Sequence, residues 1–154
     1  MKLSTKGRYG LRALIDLASC QDECEAVCIQ SIADRQHISE SYLEQLVRLL
    51  KKAGLVTSQR GAGGGYRLAK PADQISVGDI LRALEGNLDA VTCPGNQEGD
   101  QGGCEGADFC VTRYVWKEIN ESITSTVNSI MLDTLVEENK KLRGDGKSVK
   151  HCSN

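Results

Sequence analysis

A chain of 154 residues with 40% hydrophobic and 26% charged side chains has the size and composition of one globular domain with an appended element. It contains no run of about 18 apolar residues, so no membrane span is expected. It begins without the apolar core of a signal peptide, so we expect a cytoplasmic location. The net charge of −2 conceals a basic first part, because residues 1–70 hold 11 Lys/Arg against 7 Asp/Glu, and this asymmetry favours a polyanionic partner.

The first predicted elements are three helices. Residues 5–20 carry apolar side chains at helical spacing, and Ser4 or Thr5 is a candidate N-cap. A short helix is predicted over residues 29–35 and a longer one over residues 39–53, with a tight turn between them. Two helices joined in this way are typical of a helix-turn-helix motif.

A β-hairpin is predicted next. Residues 55–59 and 66–69 have the pattern of short strands, and the glycine-rich residues 60–65 lie between them. A hairpin that follows a helix-turn-helix motif forms the wing of a winged helix. Ser76 then has the position of an N-cap for another amphipathic helix, which ends at Gly86.

The loop over residues 86–110 has almost no core-forming side chains, yet it contains Cys93, Cys104 and Cys110. Thiolates select zinc, copper(I) or iron–sulfur centres. In a reducing compartment, metal ligation or thiol chemistry is expected of clustered cysteines rather than stable disulfides. Structural zinc sites use a tight pair with two to four intervening residues, which neither gap in this loop provides, so zinc is a minor alternative.

After the loop, residues 111–142 contain no Pro or Gly and predict one long helix. Its apolar residues form a narrow stripe: Val115, Ile119, Ile123, Val127, Ile130 and Leu135. We expect this stripe to be buried against a second copy of the chain, and the alternative is that the helix folds back onto its own head. The predicted organisation is a DNA-binding domain over 1–85, a cysteine-bearing loop over 86–110, a dimerisation helix over 111–143 and a disordered tail over 144–154.

The second helix of a helix-turn-helix motif lies in the major groove of DNA. The candidate reading residues on that helix are Ser39, Ser41, Tyr42, Glu44, Gln45 and Arg48. Gln45 has the chemistry to pair with adenine, and Arg48 to reach guanine or phosphate. Glu44 can accept from cytosine and would repel phosphates, which selects against wrong sequences.

On the wing, Arg60 precedes a tip in which Gly61 and Gly63 allow the backbone to approach DNA closely. An arginine on such a tip suits a narrow minor groove, where the negative potential is enhanced. Basic side chains elsewhere in the head are candidate phosphate contacts: Lys6, Arg8, Arg12 and Arg67.

Four segments carry a resemblance to a known family: residues 2–12, 39–46, 60–68 and 76–80. They resemble the family of IscR-type bacterial iron–sulfur cluster regulators and its winged-helix relatives, over residues 1 to about 140. The resemblance implies a homodimeric transcription factor that carries a 2Fe–2S cluster, controls genes of iron–sulfur cluster assembly and changes its DNA sites with cluster occupancy. It also assigns Ser41, Tyr42, Glu44 and Gln45 to the DNA-reading helix and Arg60 to the wing.

The resemblance implies that Cys93, Cys104 and Cys110 are the three cysteine ligands of the cluster, although the first gap is longer than in the best-known members. Those members have a histidine three residues after the last cysteine, where this chain has Arg113, and an arginine stays protonated and cannot be a ligand. The fourth ligand is therefore open. The candidates are these: Glu105, Asp108, a residue of the partner's first helix, or another cysteine among Cys20, Cys24 and Cys28.

The sequence thus predicts a mainly α fold with a small β-hairpin, in which a winged helix-turn-helix head precedes a long helix. The predicted function is a cluster-sensing transcriptional regulator, with the operator and the sign of regulation left open. The alternative keeps the fold without the cluster, as a regulator that senses thiol oxidation or cysteine metabolism. An enzyme is not expected, because no nucleophile–base pair, carboxylate pair or catalytic metal motif is present.

Overall fold

The computed structural model describes residues 3–93, 104, 106 and 109–144, and these contain six α-helices and a two-stranded antiparallel sheet. The elements are α1 (Thr5–Cys20), α2 (Ile29–Gln36), α3 (Glu40–Lys52), β1 (Val56–Gln59), β2 (Gly65–Leu68), α4 (Val77–Glu85), α5 (Val111–Ser129) and α6 (Leu132–Arg143). The expected mainly α fold with one hairpin is confirmed. None of the described helices is both long and apolar enough to cross a membrane.

Serine N-caps begin three of these helices, as the sequence predicts. The Ser4 hydroxyl accepts from the N–H of Lys6, and the Ser39 hydroxyl accepts from the N–H of Tyr42. Ser76 forms a capping box with Asp79 at the start of α4. The turn between α2 and α3 is made by His37 in the left-handed conformation, with φ 55°, which completes the helix-turn-helix.

The hairpin pairs β1 with β2 from Val56↔Leu68 to Gln59↔Gly65. A third segment joins it, because the N–H and C=O groups of Tyr66 and Val27 exchange hydrogen bonds of 2.9 and 2.8 Å. A Cβ at Gly65 would lie 2.5 Å from the Val27 carbonyl oxygen, so this close approach requires glycine. The loop that precedes α2 is thereby fixed to the base of the wing.

One hydrophobic core lies where α1, α2, α3, α4 and α6 meet. Its least exposed side chains are Leu14, Ile32, Leu43, Leu46, Leu50, Ile75, Ile80 and Leu132. Cys20 is equally buried, and none of these side chains is aromatic, as expected of a chain with one Phe and one Trp. Because Leu132 is 0% exposed, α6 is part of the same core as the DNA-binding head.

The single helix predicted over residues 111–143 is corrected to two helices. Ile130 and Met131 are extended, and Met131 forms a β-bridge with Ser76. The Val77 N–H donates to the Ile130 carbonyl at 2.8 Å, and the Leu132 N–H donates to the Ile75 carbonyl at 2.8 Å. These bonds replace helical ones, so the chain can turn and lay α6 against α1.

The predicted apolar stripe is divided accordingly. Val127 of α5 and Leu135 of α6 pack onto a small cluster beside α4, formed by Val77, Leu81 and Leu88. Val115 and Ile119 of α5 remain exposed. The alternative prediction, that the helix folds back onto its own head, therefore describes α6. The first part of α5 keeps an uncovered apolar side.

Candidate nucleic-acid interface and cysteine loop

Helix α3 turns one side to the core and the other to solvent. Leu43, Leu46, Val47 and Leu50 are buried, and they hold the helix in the head. The side chains of Ser41, Glu44, Gln45 and Arg48 are exposed. The amphipathic pattern thus places most of the predicted reading residues on one accessible surface.

A shallow groove runs along this surface, with a volume of about 400 Å³. It is lined by Lys6 of α1 and by Ser41, Tyr42, Glu44, Gln45, Leu46, Arg48 and Leu49 of α3. The structure therefore brings together five of the six helix residues that the sequence singles out. Ser39, the sixth, is exposed and caps the same helix.

Tyr42 differs from the other reading residues because it is half-buried and connects α3 to α1. Its hydroxyl lies 3.2 Å from the hydroxyl of Thr5, and its ring meets the ring of Tyr9 edge to face at 6.2 Å. This geometry is favourable for an aromatic pair. The first turn of α3 therefore depends on the first turns of α1 for its position.

Arg12 has intramolecular partners in the structure, although the sequence makes it a candidate phosphate contact. Its Nε donates to Gln36 Oε1 at 3.2 Å, and its Nη2 donates to the Gln36 carbonyl at 3.3 Å. The guanidinium also lies 5.4 Å from the centre of the Tyr9 ring. Arg12 thus joins α1 to the end of α2, although it is exposed like Lys6, Arg8 and Arg67.

The wing tip presents Arg60 to solvent, and its turn depends on two glycines. Gly61 has φ 111°, a conformation that L side chains rarely adopt. A Cβ at Gly64 would lie 2.7 Å from the Gln59 carbonyl oxygen. Gly63 is exposed with open space around it, so the tip could approach a DNA backbone there without a side chain between them.

The three loop cysteines occupy different surroundings. Cys93 is half-buried, whereas Cys104 and Cys110 are exposed, and Cys110 is the N-cap residue of α5. Within the described residues, no group of three or more His, Cys, Asp or Glu side chains is gathered as a metal site would require. The candidate ligands Glu105 and Asp108 lie outside the described residues, and Arg113 lies in the first turn of α5.

Asn120 of α5 fixes the start of the cysteine loop, a role that the sequence does not reveal. Its Oδ1 accepts from the Ala90 N–H at 2.8 Å, and its Nδ2 donates to the Val91 carbonyl at 3.0 Å. Leu88, two residues before Ala90, is buried. The only signal in the sequence is an asparagine within a helix, where its intrinsic preference is poor. The backbone two residues before Cys93 is thereby fastened to the same helix that Cys110 begins.

The thiols differ in acidity. A hydrogen bond with the Thr112 hydroxyl at 3.1 Å lowers the pKa of Cys110, and the backbone N–H of Arg113 contributes in the same direction. Burial, followed by the nearby Asp16, raises the pKa of Cys20 to about 11. Metal ligation requires thiolate, so the lowered pKa of Cys110 fits a soft metal centre, whereas Cys20 is buried in the core.

Replacing Thr112 by Val is expected to raise the pKa of Cys110, because a hydrogen bond to the thiolate is lost. Pulsed alkylation with iodoacetamide from pH 6 to 9.5, read by mass spectrometry, should show the Cys110 profile moving to higher pH. Ser125→Val, on the same helix far from the thiol, is the control. An unchanged Cys110 profile in Thr112→Val would contradict the assignment.

Comparisons with known proteins agree with this geometry. Residues 3–138 match the family model Rrf2, described as an iron-dependent transcriptional regulator. The chain is 42% identical over 151 residues to the HTH-type transcriptional regulator IscR of Klebsiella pneumoniae (strain 342), covering 98% of this chain and 89% of that protein.

Two solved structures are also similar. T. potens IscR has a TM-score of 0.73 and 41% identity, covering 96% of this chain and 94% of that one. CymR, the global cysteine regulator of B. subtilis, has a TM-score of 0.74 and 40% identity, covering 91% of this chain and 99% of that one.

These relatives confirm the resemblance that the sequence carries, and they are named as regulators of transcription rather than as enzymes. The match extends through both the winged helix-turn-helix and the two C-terminal helices. The chain therefore belongs to the Rrf2 family of iron-dependent transcriptional regulators and is itself a DNA-binding regulator of transcription.

Proposed function

We propose that this regulator acts as a homodimer, senses a 2Fe–2S cluster held by Cys93, Cys104 and Cys110, and controls genes of iron–sulfur cluster assembly. The observation that carries the proposal is the attachment of the cysteine loop at both ends to α5. Asn120 holds the backbone just before Cys93, and Cys110 occupies the N-cap position at which the helix begins. A group bound by the loop would therefore act directly on the helix that connects it to the head.

Two surfaces support the DNA contacts. The exposed side of α3 carries Ser41, Glu44, Gln45 and Arg48, with the N-cap Ser39 and the half-buried Tyr42 beside them, and the wing carries Arg60, Gly61 and Gly63. Gln45 and Arg48 offer the hydrogen bonds that distinguish base pairs in the major groove. Lys6 lines the same groove and supplies positive charge for the phosphate backbone.

The proposed ligands of the cluster are three thiolates. When bound, the cluster supplies iron that exchanges electrons and is open to oxidants. Cys110 is exposed at the start of α5, and its hydrogen bond with Thr112 lowers its pKa. The fourth ligand remains to be chosen among Glu105, Asp108, another cysteine and a residue of the partner's first helix.

An uncovered apolar surface supports the homodimer. It comprises Phe109, Val111, Tyr114, Val115 and Ile119, with exposed fractions from 91% for Phe109 to 37% for Ile119. Four of these side chains lie on α5 and Phe109 lies just before it, and large exposed apolar side chains in such a row mark a surface that another protein covers. A second α5 fits it, because two-fold symmetry places each row against its copy.

Anaerobic reconstitution with iron and sulfide, followed by ultraviolet–visible and Mössbauer spectroscopy, tests the proposal. We expect the wild-type chain to take up a 2Fe–2S cluster and Cys93→Ala to lose it. Ser125→Ala, which removes an exposed hydroxyl of α5 outside the loop, is the control. A footprint on the protein's own promoter should then differ with and without the cluster. Full cluster content in Cys93→Ala would overturn the ligand assignment.

The second candidate is a cluster-free thiol sensor, which the exposed and acidified Cys110 thiol favours. Oxidation would join two thiols in a disulfide, with their two electrons and two protons reducing hydrogen peroxide to two waters, or an alkyl hydroperoxide to an alcohol and water. Mass spectrometry of peroxide-treated protein distinguishes the two proposals, since this one requires a disulfide within the cysteine triplet and no cluster uptake.

For the DNA interface, Gln45→Ala is expected to weaken operator binding about 10- to 100-fold, the range of one good bidentate base contact. Binding to unrelated DNA should barely change. Lys6→Ala is the matched comparison. Loss of one phosphate contact should weaken binding to the operator and to unrelated DNA alike, and should reduce the slope of log affinity against log salt concentration by about one. Fluorescence anisotropy at several salt concentrations separates these patterns. An equal loss on both DNAs in Gln45→Ala would exclude base reading.

A further inference from the structure

Glu85, the last residue of α4, binds the start of α1. Its Oε1 accepts three hydrogen bonds, from the Ser4 N–H at 2.9 Å, the Ser4 hydroxyl at 2.7 Å and the Gly7 N–H at 2.8 Å. The first N–H groups of a helix have no partner within the helix, and the positive end of its dipole favours a carboxylate. Glu85 thus acts as a cap for α1 from a distant part of the chain.

Two further observations show how closely this contact is built. A Cβ at Gly7 would lie 2.6 Å from Glu85 Oε1, so a glycine in the first turns of α1 makes room for the carboxylate. Burial raises the pKa of Glu85, but the hydrogen bonds from Ser4 and Gly7 outweigh it, and the pKa lies below its usual value. The carboxylate is therefore held as an anion by groups that fit it.

Two residues beside this contact reach the DNA-reading surface. The residues between Ser4 and Gly7 are Thr5, whose hydroxyl is the partner of the Tyr42 hydroxyl, and Lys6, which lines the reading groove. A shift of this first turn would move Lys6 directly. It would move the start of α3 through Tyr42.

The residues that follow Glu85 connect it to the cysteine loop. Gly86 follows Glu85 with φ 83°, and Leu88 then packs beside α4. Ala90 and Val91 are fastened to Asn120 of α5. Cys93 lies eight positions after Glu85, with the intervening backbone held at several points.

We infer that Glu85 is a positioning residue that transmits the state of the cysteine loop to the DNA-reading surface, through Ser4 and the Thr5–Tyr42 contact. The inference deepens the proposed function and rests on it for the identity of the signal. The loop and the reading surface are then two sites joined by one carboxylate. Coupling of this kind is reciprocal, so DNA binding would also alter the cluster's affinity.

The test compares DNA affinity with and without the reconstituted cluster in the full-length protein. For Glu85→Ala, we expect the ratio of the two dissociation constants to fall at least fivefold towards one, with cluster content unchanged. Glu85→Gln keeps an acceptor oxygen at the same reach, and we expect it to restore part of the ratio. Asp79→Asn removes a carboxylate cap from the other end of α4 and controls for loss of stability.

A second readout needs no cluster. Hydrogen exchange of the cluster-free protein should quicken at residues 5–8 and in the first turn of α3 in Glu85→Ala, but not in Asp79→Asn. A wild-type affinity ratio in Glu85→Ala, or unchanged exchange at α3, would overturn the inference. If the wild-type chain takes up no cluster, the proposed function fails instead, and the exchange measurement still decides whether Glu85 positions α3.

Discussion

Replacing Arg35 by Met is expected to lower the free energy of unfolding by about 3–5 kcal/mol, the usual effect of removing one partner from a buried ion pair. Asp16 of α1 is 2% exposed, and Arg35 of α2 donates to its Oδ2 from Nε at 2.9 Å and from Nη2 at 2.7 Å. Without Arg35, the ion pair left to this buried carboxylate among the described residues is with Arg143, at 3.8 Å. Urea denaturation followed by circular dichroism measures this change in the free energy of unfolding.

Two variants make this result interpretable. Lys140→Met breaks an ion pair with Asp22 whose side chains are 50% and 72% exposed, and it should cost less than about 1 kcal/mol. The double variant Asp16→Leu with Arg35→Met removes both charges, and it should recover much of the loss. A loss below about 1 kcal/mol in Arg35→Met alone would show that the pair does not hold α1 to α2.

Replacing Ile119 by Glu is expected to convert the proposed dimer to a monomer at micromolar concentration and to weaken operator binding about 100-fold. Ile119 lies on the uncovered apolar surface of α5, where a carboxylate facing its copy would be desolvated and repelled. A dimer binds two half-sites at once, and this advantage is lost when the subunits separate. Analytical ultracentrifugation and anisotropy measure the two effects.

The control is Thr124→Glu, which adds the same charge to an exposed position about 140° around the same helix. It should leave both the mass and the DNA affinity close to wild type. A dimeric Ile119→Glu protein would place the interface elsewhere. A monomer that kept wild-type affinity would show that one head is sufficient for binding.

Features decided by local sequence were predictable. Ser39 and Ser76 cap their helices as expected, and the hairpin forms between the expected strands, because N-cap chemistry and glycine position act over a few residues. The break at Ile130 and Met131 was not predictable in this way. It depends on hydrogen bonds to Ile75 and Val77, more than 50 positions away, and no Pro or Gly marks it.

The candidate site likewise has residues that could be predicted from the sequence and residues that could not. The reading surface follows from the period of α3, so Ser41, Glu44 and Gln45 could be chosen from the sequence. Asn120 and Glu85 could not, because a polar residue on a helix is ordinarily solvated and only the fold brings these two to their partners. The cysteine loop has no core residues to fix its shape, so its spacing predicts the donor chemistry but not the geometry.

The burial of Leu132 and Val136 against α1 also affects how the chain acquires its structure. The head contains the first and the last helices of the described chain, so its core requires contacts of very long sequence separation, and high contact order slows folding. On the ribosome, a nascent chain that ends before residue 132 would lack part of that core. The DNA-reading surface is therefore expected to mature only after the cysteine loop has been synthesised.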